Sequence, residues 1–220
     1  MFEAVIFDCD GVLVDSEPIA ERVLAEVLTE HGRPTTAAQI AERFIGLAWP
    51  QIIERLDLEA DSEAAVRVTT DYRDRLTRAF ATELRAVEGV AAVVAGLNVP
   101  VAVASNSRPE RVEQALEVTG LLPRFAGRIF TAYDAGRPKP DPAVYLSAAQ
   151  ALGVEPGRCA VVEDTAVGAT AGVRAGMTVF GYAPDGADGW PPGARPFRAM
   201  ADLGPLLARP DARPSPSAPR

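Results

Sequence analysis

The stretch Phe7-Asp8-Cys9-Asp10-Gly11-Val12-Leu13-Val14-Asp15-Ser16-Glu17 follows directly on an apolar run. Asp8 and Asp10, two positions apart, point the same way while the chain stays extended, and Gly11 then lets the backbone turn sharply. Two carboxylates so placed suit a nucleophile with an acid/base partner, or a pair of ligands for a hard cation. Three further groupings offer chemistry. Ser105-Asn106-Ser107 closes a second apolar run just before a helix opens near Pro109, and a hydroxyl beside free backbone N–H groups at a helix start can seat a phosphate. Glu163-Asp164-Thr165 closes another apolar run with a second acidic pair. Between them, Lys139 stands between Pro138 and Pro140.

Such residues need a scaffold that brings them together. Five short apolar runs read as buried strands: Ala4 to Phe7, Val99 to Ala104, Arg128 to Thr131, Cys159 to Val162 and Met177 to Phe180. None alternates with polar residues, as expected of parallel strands covered on both faces. Helical patterns over Pro109 to Thr119, from Asp141-Pro142 to Gly153, and over Thr165 to Ala175 separate the later ones, so a doubly wound parallel sheet is predicted. Ligands then bind beyond the carboxyl ends of the strands, where all four groupings fall. About ninety residues separate Phe7 from Val99, far more than one crossover requires. Helical patterns at Pro18 to Glu30, Thr36 to Phe44, Pro50 to Leu56 and Ser62 to Phe80 fill that gap. The expectation is a Rossmann-like core of residues 1–15 and 87–208, an inserted α-helical cap of residues 16–86, and a disordered Pro-rich tail of residues 209–220.

Composition removes several classes. Lys+Arg 22 against Asp+Glu 30 gives a net charge of −8, which argues against a nucleic-acid partner. No apolar run reaches the roughly 18 residues that a membrane helix needs. Met1-Phe2-Glu3-Ala4 carries an acid where a signal peptide carries bases, so a cytoplasmic protein is expected, as a monomer or weak dimer. Two cysteines, Cys9 and Cys159, permit neither a disulfide framework nor a four-thiolate zinc site. The only histidine, His31, precedes Gly32 at a helix end and reads as a cap. Lys139 is the only lysine in a chain whose other basic residues are all Arg, so an ammonium specifically is wanted there.

Taken in order, Asp8-Cys9-Asp10-Gly11-Val12-Leu13, Ser105, Lys139-Pro140 and Glu163-Asp164 with Gly168 resemble the four motifs of the haloacid dehalogenase-like hydrolases, in the phosphatase branch with an inserted helical cap. The resemblance runs from about Phe2 to Leu207. It implies strand order 3-2-1-4-5, with Ser105 and Asp164 flanking Asp8. It implies Asp8 as nucleophile, forming an aspartyl-phosphate, and Asp10 as acid and then base. It implies Mg²⁺ held by Asp8, the Asp10 carbonyl, Asp164 and Glu163, the last directly or through water. Ser105, the Asn106 backbone N–H and Lys139 would hold the phosphoryl oxygens of a small phosphorylated metabolite, a sugar phosphate for preference.

Competing readings can be weighed residue by residue. The dehalogenase reaction normally lacks the acid that Asp10 supplies, and phosphonate cleavage needs a cap lysine that is absent. A mutase resembling β-phosphoglucomutase shares the four motifs. It expects an arginine in the loop after Gly46, where Trp49 stands, and lysine and asparagine where Ser107-Arg108-Pro109 follows Ser105. The stretches Asp71-Tyr72-Arg73, Val87-Glu88-Gly89 and Ser105-Asn106 resemble 6-phosphogluconate phosphatases more closely. A receiver-type signalling domain uses similar residues, but in another order and without a cap. A catalytically silent binding protein would have lost a motif, and none is missing. From the cap, Trp49 and Arg73 are candidates for the substrate, with Arg43 and Arg75 behind them. Cys9 is no nucleophile, because Asp15 stands six residues on, where a Cys-based phosphatase loop carries Arg. Gly168 and Gly172 are expected to allow close helix packing.

Overall fold

The computed structural model describes residues 1–44, 47–184, 186 and 189–208. Gly46 and the expected tail, residues 209–220, lie outside them. The chain runs β1 (Ala4–Phe7), α1 (Glu17–Glu30), α2 (Ala37–Phe44), α3 (Trp49–Arg55), α4 (Glu63–Glu83), α5 (Val90–Gly96), β2 (Val101–Ser105), α6 (Pro109–Val118), α7 (Leu122–Phe125) and β3 (Ile129–Thr131). It continues through α8 (Ala132–Ala135), α9 (Ala143–Leu152), β4 (Cys159–Glu163), α10 (Ala166–Arg174), β5 (Thr178–Tyr182), β6 (Ala194–Phe197) and α11 (Met200–Ala208).

All six strands among the described residues are parallel, in the order β3-β2-β1-β4-β5-β6. Period-two alternation sorts the apolar side chains onto two covered faces. Val5, Phe7, Val101, Val103, Val162 and Phe180 join one cluster, into which Phe125, Leu116, Val94 and Leu203 pack from α7, α6, α5 and α11. Ala4, Ile6, Ala102, Ala104, Val161 and Val179 join the other, beneath Tyr145 and Ala148 of α9 and Ala171 of α10. Both faces exclude water, which is why these strands read as unbroken apolar runs.

The fold class agrees with the sequence reading, and one strand is added to it. Ala194-Arg195-Pro196-Phe197 forms β6 at the edge beyond β5. Proline is tolerated at an edge because its missing N–H need not serve a second neighbour. β2 starts at Val101 rather than Val99, β5 runs Thr178–Tyr182, and β4 extends to Glu163, so this carboxylate belongs to the strand itself.

The segment between β1 and β2 leaves and re-enters at one place. Val14 bridges Ala86 antiparallel, Asp15 N–H donates to Arg85 O at 2.9 Å, and Val87 N–H donates to Leu13 O at 3.1 Å. Between these crossings, α1 lays Val23, Leu24, Val27 and Leu28 into the same apolar cluster as Val68, Tyr72, Leu76 and Phe80 of α4. Ser62 caps α4 by accepting from Ala65 N–H. His31 is the C-cap of α1 and reaches Asp71 of α4, which also pairs with Arg75. No described helix is long and apolar enough to cross a membrane.

Candidate active site

Three parallel strands, β2, β1 and β4, deliver the reactive groups to one edge of the sheet. Phe7 is level with Val103 of β2 and Val162 of β4, so Asp8, Ser105 and Glu163-Asp164 emerge side by side. They floor a cleft of about 570 Å³ that is walled by α1, α2, α3, α4 and α6. Asp8, Asp10, Ser105, Asn106, Lys139, Glu163 and Asp164 all line it.

Lys139 comes from the loop before α9 and is 3% exposed. Its ammonium donates to Asp8 Oδ1 at 2.7 Å, Glu163 Oε1 at 2.6 Å and Ala104 O at 2.8 Å. An ammonium has three protons, and all three are used. Burial disfavours the charge, but Asp8 and Glu163 outweigh it and hold the lysine well above its ordinary range. Asn106 fixes this loop from the other side, its Oδ1 accepting from Lys139 N–H at 2.9 Å. Ser105 Oγ accepts from Ser107 N–H at 3.0 Å, which shapes the turn into α6.

Glu163 is fully buried. Its Oε1 accepts from Lys139 and from the Tyr145 hydroxyl at 2.7 Å, and its Oε2 accepts from Asp164 N–H, Thr165 N–H and Thr165 Oγ1. Gly168 of α10 presses on this carboxylate, since a Cβ there would lie 1.7 Å from Oε1. Gly172, one turn on, lets α10 approach β5 and β4, its absent Cβ lying 2.7 Å from Val179. Thr165 caps α10 by accepting from Gly168 N–H.

Asp8, Glu163 and Asp164 each bring a carboxylate oxygen within 4.8 Å of the others. Burial first, with neighbouring acids adding, pushes Asp8 up to about 7 against the pull of Lys139, and raises Asp164 well above the usual range. Asp164 Oδ1 is buried and has no hydrogen-bond partner among the described residues. A buried oxygen without a donor among hard, anionic neighbours is what a divalent cation would satisfy, so the residues present fit Mg²⁺. Glu163 brings oxygens already engaged by five donors, which leaves Asp8 and Asp164 as the acids free to ligate. Gly11, at φ +72°, turns the chain beside this cluster, and a Cβ there would lie 1.9 Å from Asp164 Oδ2.

Asp10 sits in a different cage. It accepts from Ser16 Oγ at 2.5 Å, Ser107 Oγ at 2.7 Å and Arg111 Nη2 at 2.8 Å. Burial would raise its pKa, but Arg111 and the two hydroxyls hold it below the usual carboxylate range. Ser16 and Ser107 stand in the two stretches the sequence singles out, without a role of their own there, and Arg111 stands in neither. Arg111 is one of many arginines, and only the approach of α6 to the end of β1 distinguishes it.

Known proteins resemble this chain in sequence and in the fold around that arrangement of two acids and a lysine. The family model of haloacid dehalogenase-like hydrolases matches residues 2–176. The chain belongs to that family. Among the relatives of this hydrolase, the 6-phosphogluconate phosphatase of Escherichia coli strain K12 is 36% identical over 184 residues, covering 83% of each chain. Hexitol phosphatase A of the same strain is 34% identical over 179 residues, covering 80% of each. A haloacid dehalogenase-like protein from Agrobacterium tumefaciens superposes with TM-score 0.77 at 33% identity, covering 94% of this chain and 98% of its own. A hydrolase of the family from Deinococcus radiodurans, solved with bound phosphate and sodium, gives TM-score 0.71 at 33% identity, covering 94% and 95%.

The candidates from the helical segment divide. Trp49 and Arg73 line the cleft, whereas Arg43 and Arg75 do not. Arg43 lies over the Phe44 ring, and Arg75 joins Glu30 of α1 to Asp71 of α4. Trp49 stacks on Tyr72, ring centroids 4.7 Å apart, and its indole N–H donates to Thr69 Oγ1. It therefore builds the wall and faces the space.

Proposed function

We propose that this hydrolase is a Mg²⁺-dependent phosphatase of small phosphorylated metabolites, sugar phosphates for preference, working through an aspartyl-phosphate on Asp8. Its class, a phosphoric monoester hydrolase, follows from the family and from the phosphatases related to it. The observation that carries the mechanism is Asp8 held at 2.7 Å by a buried lysine, with the unpartnered Asp164 oxygen beside it. Such a carboxylate is fixed, accessible from the cleft and poised to attack phosphorus.

Mg²⁺ on Asp8, Asp164 and the Asp10 carbonyl would neutralise repulsion between carboxylate and phosphate dianion. Asp8 attacks phosphorus and the ester bond to the leaving oxygen breaks. Asp10, ionised in its cage of Arg111, Ser16 and Ser107, first takes up a proton from solvent as that cage loosens. It donates this proton to the leaving oxygen, and then takes one from the water that attacks the acyl phosphate. Phosphate and free Asp8 result, so the proton count closes. Lys139, Ser105 and Asn106 border the space the phosphoryl oxygens would occupy. Asp10 serves in both steps only after exchanging some of its bonds to Ser16, Ser107 and Arg111. Ser16 lies directly after the crossing to α1, so movement of residues 16–86 as a cap over the core of residues 1–15 and 87–208 would make that exchange.

A mutase would use the same floor. We favour hydrolysis because Trp49 stands where the mutase carries an arginine, and it is already bonded to Thr69. Phosphate release from a panel of phosphorylated metabolites, with Mg²⁺ and with EDTA, tests the reading. Release is expected with the metal only, and none from Asp8→Asn. Undiminished turnover in Asp8→Asn would end the mechanism. Conversion of β-glucose 1-phosphate to glucose 6-phosphate without net phosphate release would favour the mutase.

A further inference from the structure

We propose that Tyr145 is a positioning residue for the reaction, forming with Glu163 a buried clamp that fixes the Lys139 ammonium against Asp8. The inference rests on the phosphatase reading above. Lysine carries its charge on a flexible four-carbon stem, so one ammonium position must be imposed from outside. Besides Asp8 and the Ala104 carbonyl, two groups impose it here, Tyr145 and Glu163. The Tyr145 ring lies 4.9 Å from Nζ, within range of a cation–π attraction. The Tyr145 hydroxyl donates to Glu163 Oε1, the same oxygen that holds Lys139.

Glu163 cannot swing to follow the lysine. Its Oε2 is tied to Asp164 N–H, Thr165 N–H and Thr165 Oγ1. Behind it, α10 is so close that Gly168 has no room for a Cβ. As Asp8 becomes an acyl phosphate, Lys139 must release Asp8 Oδ1 toward a phosphoryl oxygen while keeping Glu163 and Ala104 O. The clamp keeps the ammonium in place through that exchange. Packing alone would be served by phenylalanine. The hydroxyl has a single described partner, and that partner holds the lysine. Tyr145 is fully buried and does not line the cleft, so it acts through Lys139 and not on substrate.

The test compares the full-length wild type with Tyr145→Phe, which keeps the ring, and Tyr145→Leu, which removes it. The readouts are kcat and KM on p-nitrophenyl phosphate, inhibition by orthovanadate and by inorganic phosphate, Mn²⁺ affinity by electron paramagnetic resonance, and Tm. Tyr145→Phe should lower kcat about tenfold, and Tyr145→Leu on the order of 100-fold, as expected of ångström-scale misplacement. KM, phosphate inhibition and Mn²⁺ affinity should stay within about threefold, while orthovanadate, which resembles the transition state, should weaken in step with kcat. If Tyr145→Phe fails to fold, Glu163→Gln carries the same expectation. A Tyr145→Phe enzyme within about twofold of wild type in kcat overturns the clamp. So does a parallel loss of phosphate, vanadate and Mn²⁺ binding, which would mark a general loss of structure. A wild type that releases no phosphate overturns the phosphatase reading and the clamp with it, whereas an active wild type with an unaffected variant overturns the clamp alone.

Discussion

Lys139 shows why a chain that otherwise uses only arginine keeps one lysine. Three acceptors surround a single point, and an ammonium fills all three with no proton left over. A guanidinium spreads five N–H donors over a plane, so in this nearly closed site at least two would stay unpaired. Lys139→Arg should therefore cost at least about 100-fold in kcat and also lower Tm, whereas an exposed position would tolerate it within about 0.5 kcal/mol. Paired kinetics and thermal unfolding decide, and a near-normal kcat would mean that any cation suffices. Trp49 answers to another measurement. Because it both stacks on Tyr72 and faces the cleft, Trp49→Ala should change relative kcat/KM among sugar phosphates more than activity on p-nitrophenyl phosphate. A uniform fall on every substrate would assign Trp49 to packing alone.

At the scale of elements, α10 is held to the sheet by two missing side chains with different neighbours. Gly172 faces Val179 and Val161, while Gly168 faces the Glu163 carboxylate. Gly172→Ala should destabilise the fold by about 1–3 kcal/mol through overpacking, measured by urea unfolding, with kcat per folded molecule preserved. A loss of kcat as large as that expected from disturbing Glu163 would contradict this separation. The strands that position these groups were legible because burial on both faces leaves an unbroken apolar run. β6 was not, since a four-residue edge strand holding Arg195 and Pro196 has no such signature. The floor of the candidate site was legible where an unusual residue sat at a strand end, as with Asp8, Ser105 and Asp164, or where a single lysine broke an all-arginine pattern, as with Lys139 in the loop before α9. Its supports were not. Arg111 and Ser107 reach Asp10 only through tertiary approach, and Tyr145 on an apolar helix reads as core until its hydroxyl is seen to meet Glu163.

Over the whole molecule, the cleft also concentrates negative charge. Burial, with Asp10, Glu21 and Asp15 adding, pushes Glu17 up to about 7 from an ordinary 4.5. Between those values the folded state binds the proton more tightly than the unfolded chain, so this group's contribution to stability is full at low pH and is lost as pH rises through about 7. Glu17→Gln cannot ionise. The Tm gain of this variant over wild type in EDTA should grow between pH 5 and pH 8, and an equal gain at both would show that Glu17 does not titrate in the cleft. The helical segment joins the sheet at the crossing where Val14 meets Ala86. Departure and return are neighbours there, so the sheet senses only that two ends coincide, not how much chain lies between them. The helices over the cleft could be lengthened, shortened or replaced without disturbing strand register. Substrate choice could then be altered within that segment alone, leaving the floor of the cleft as it stands.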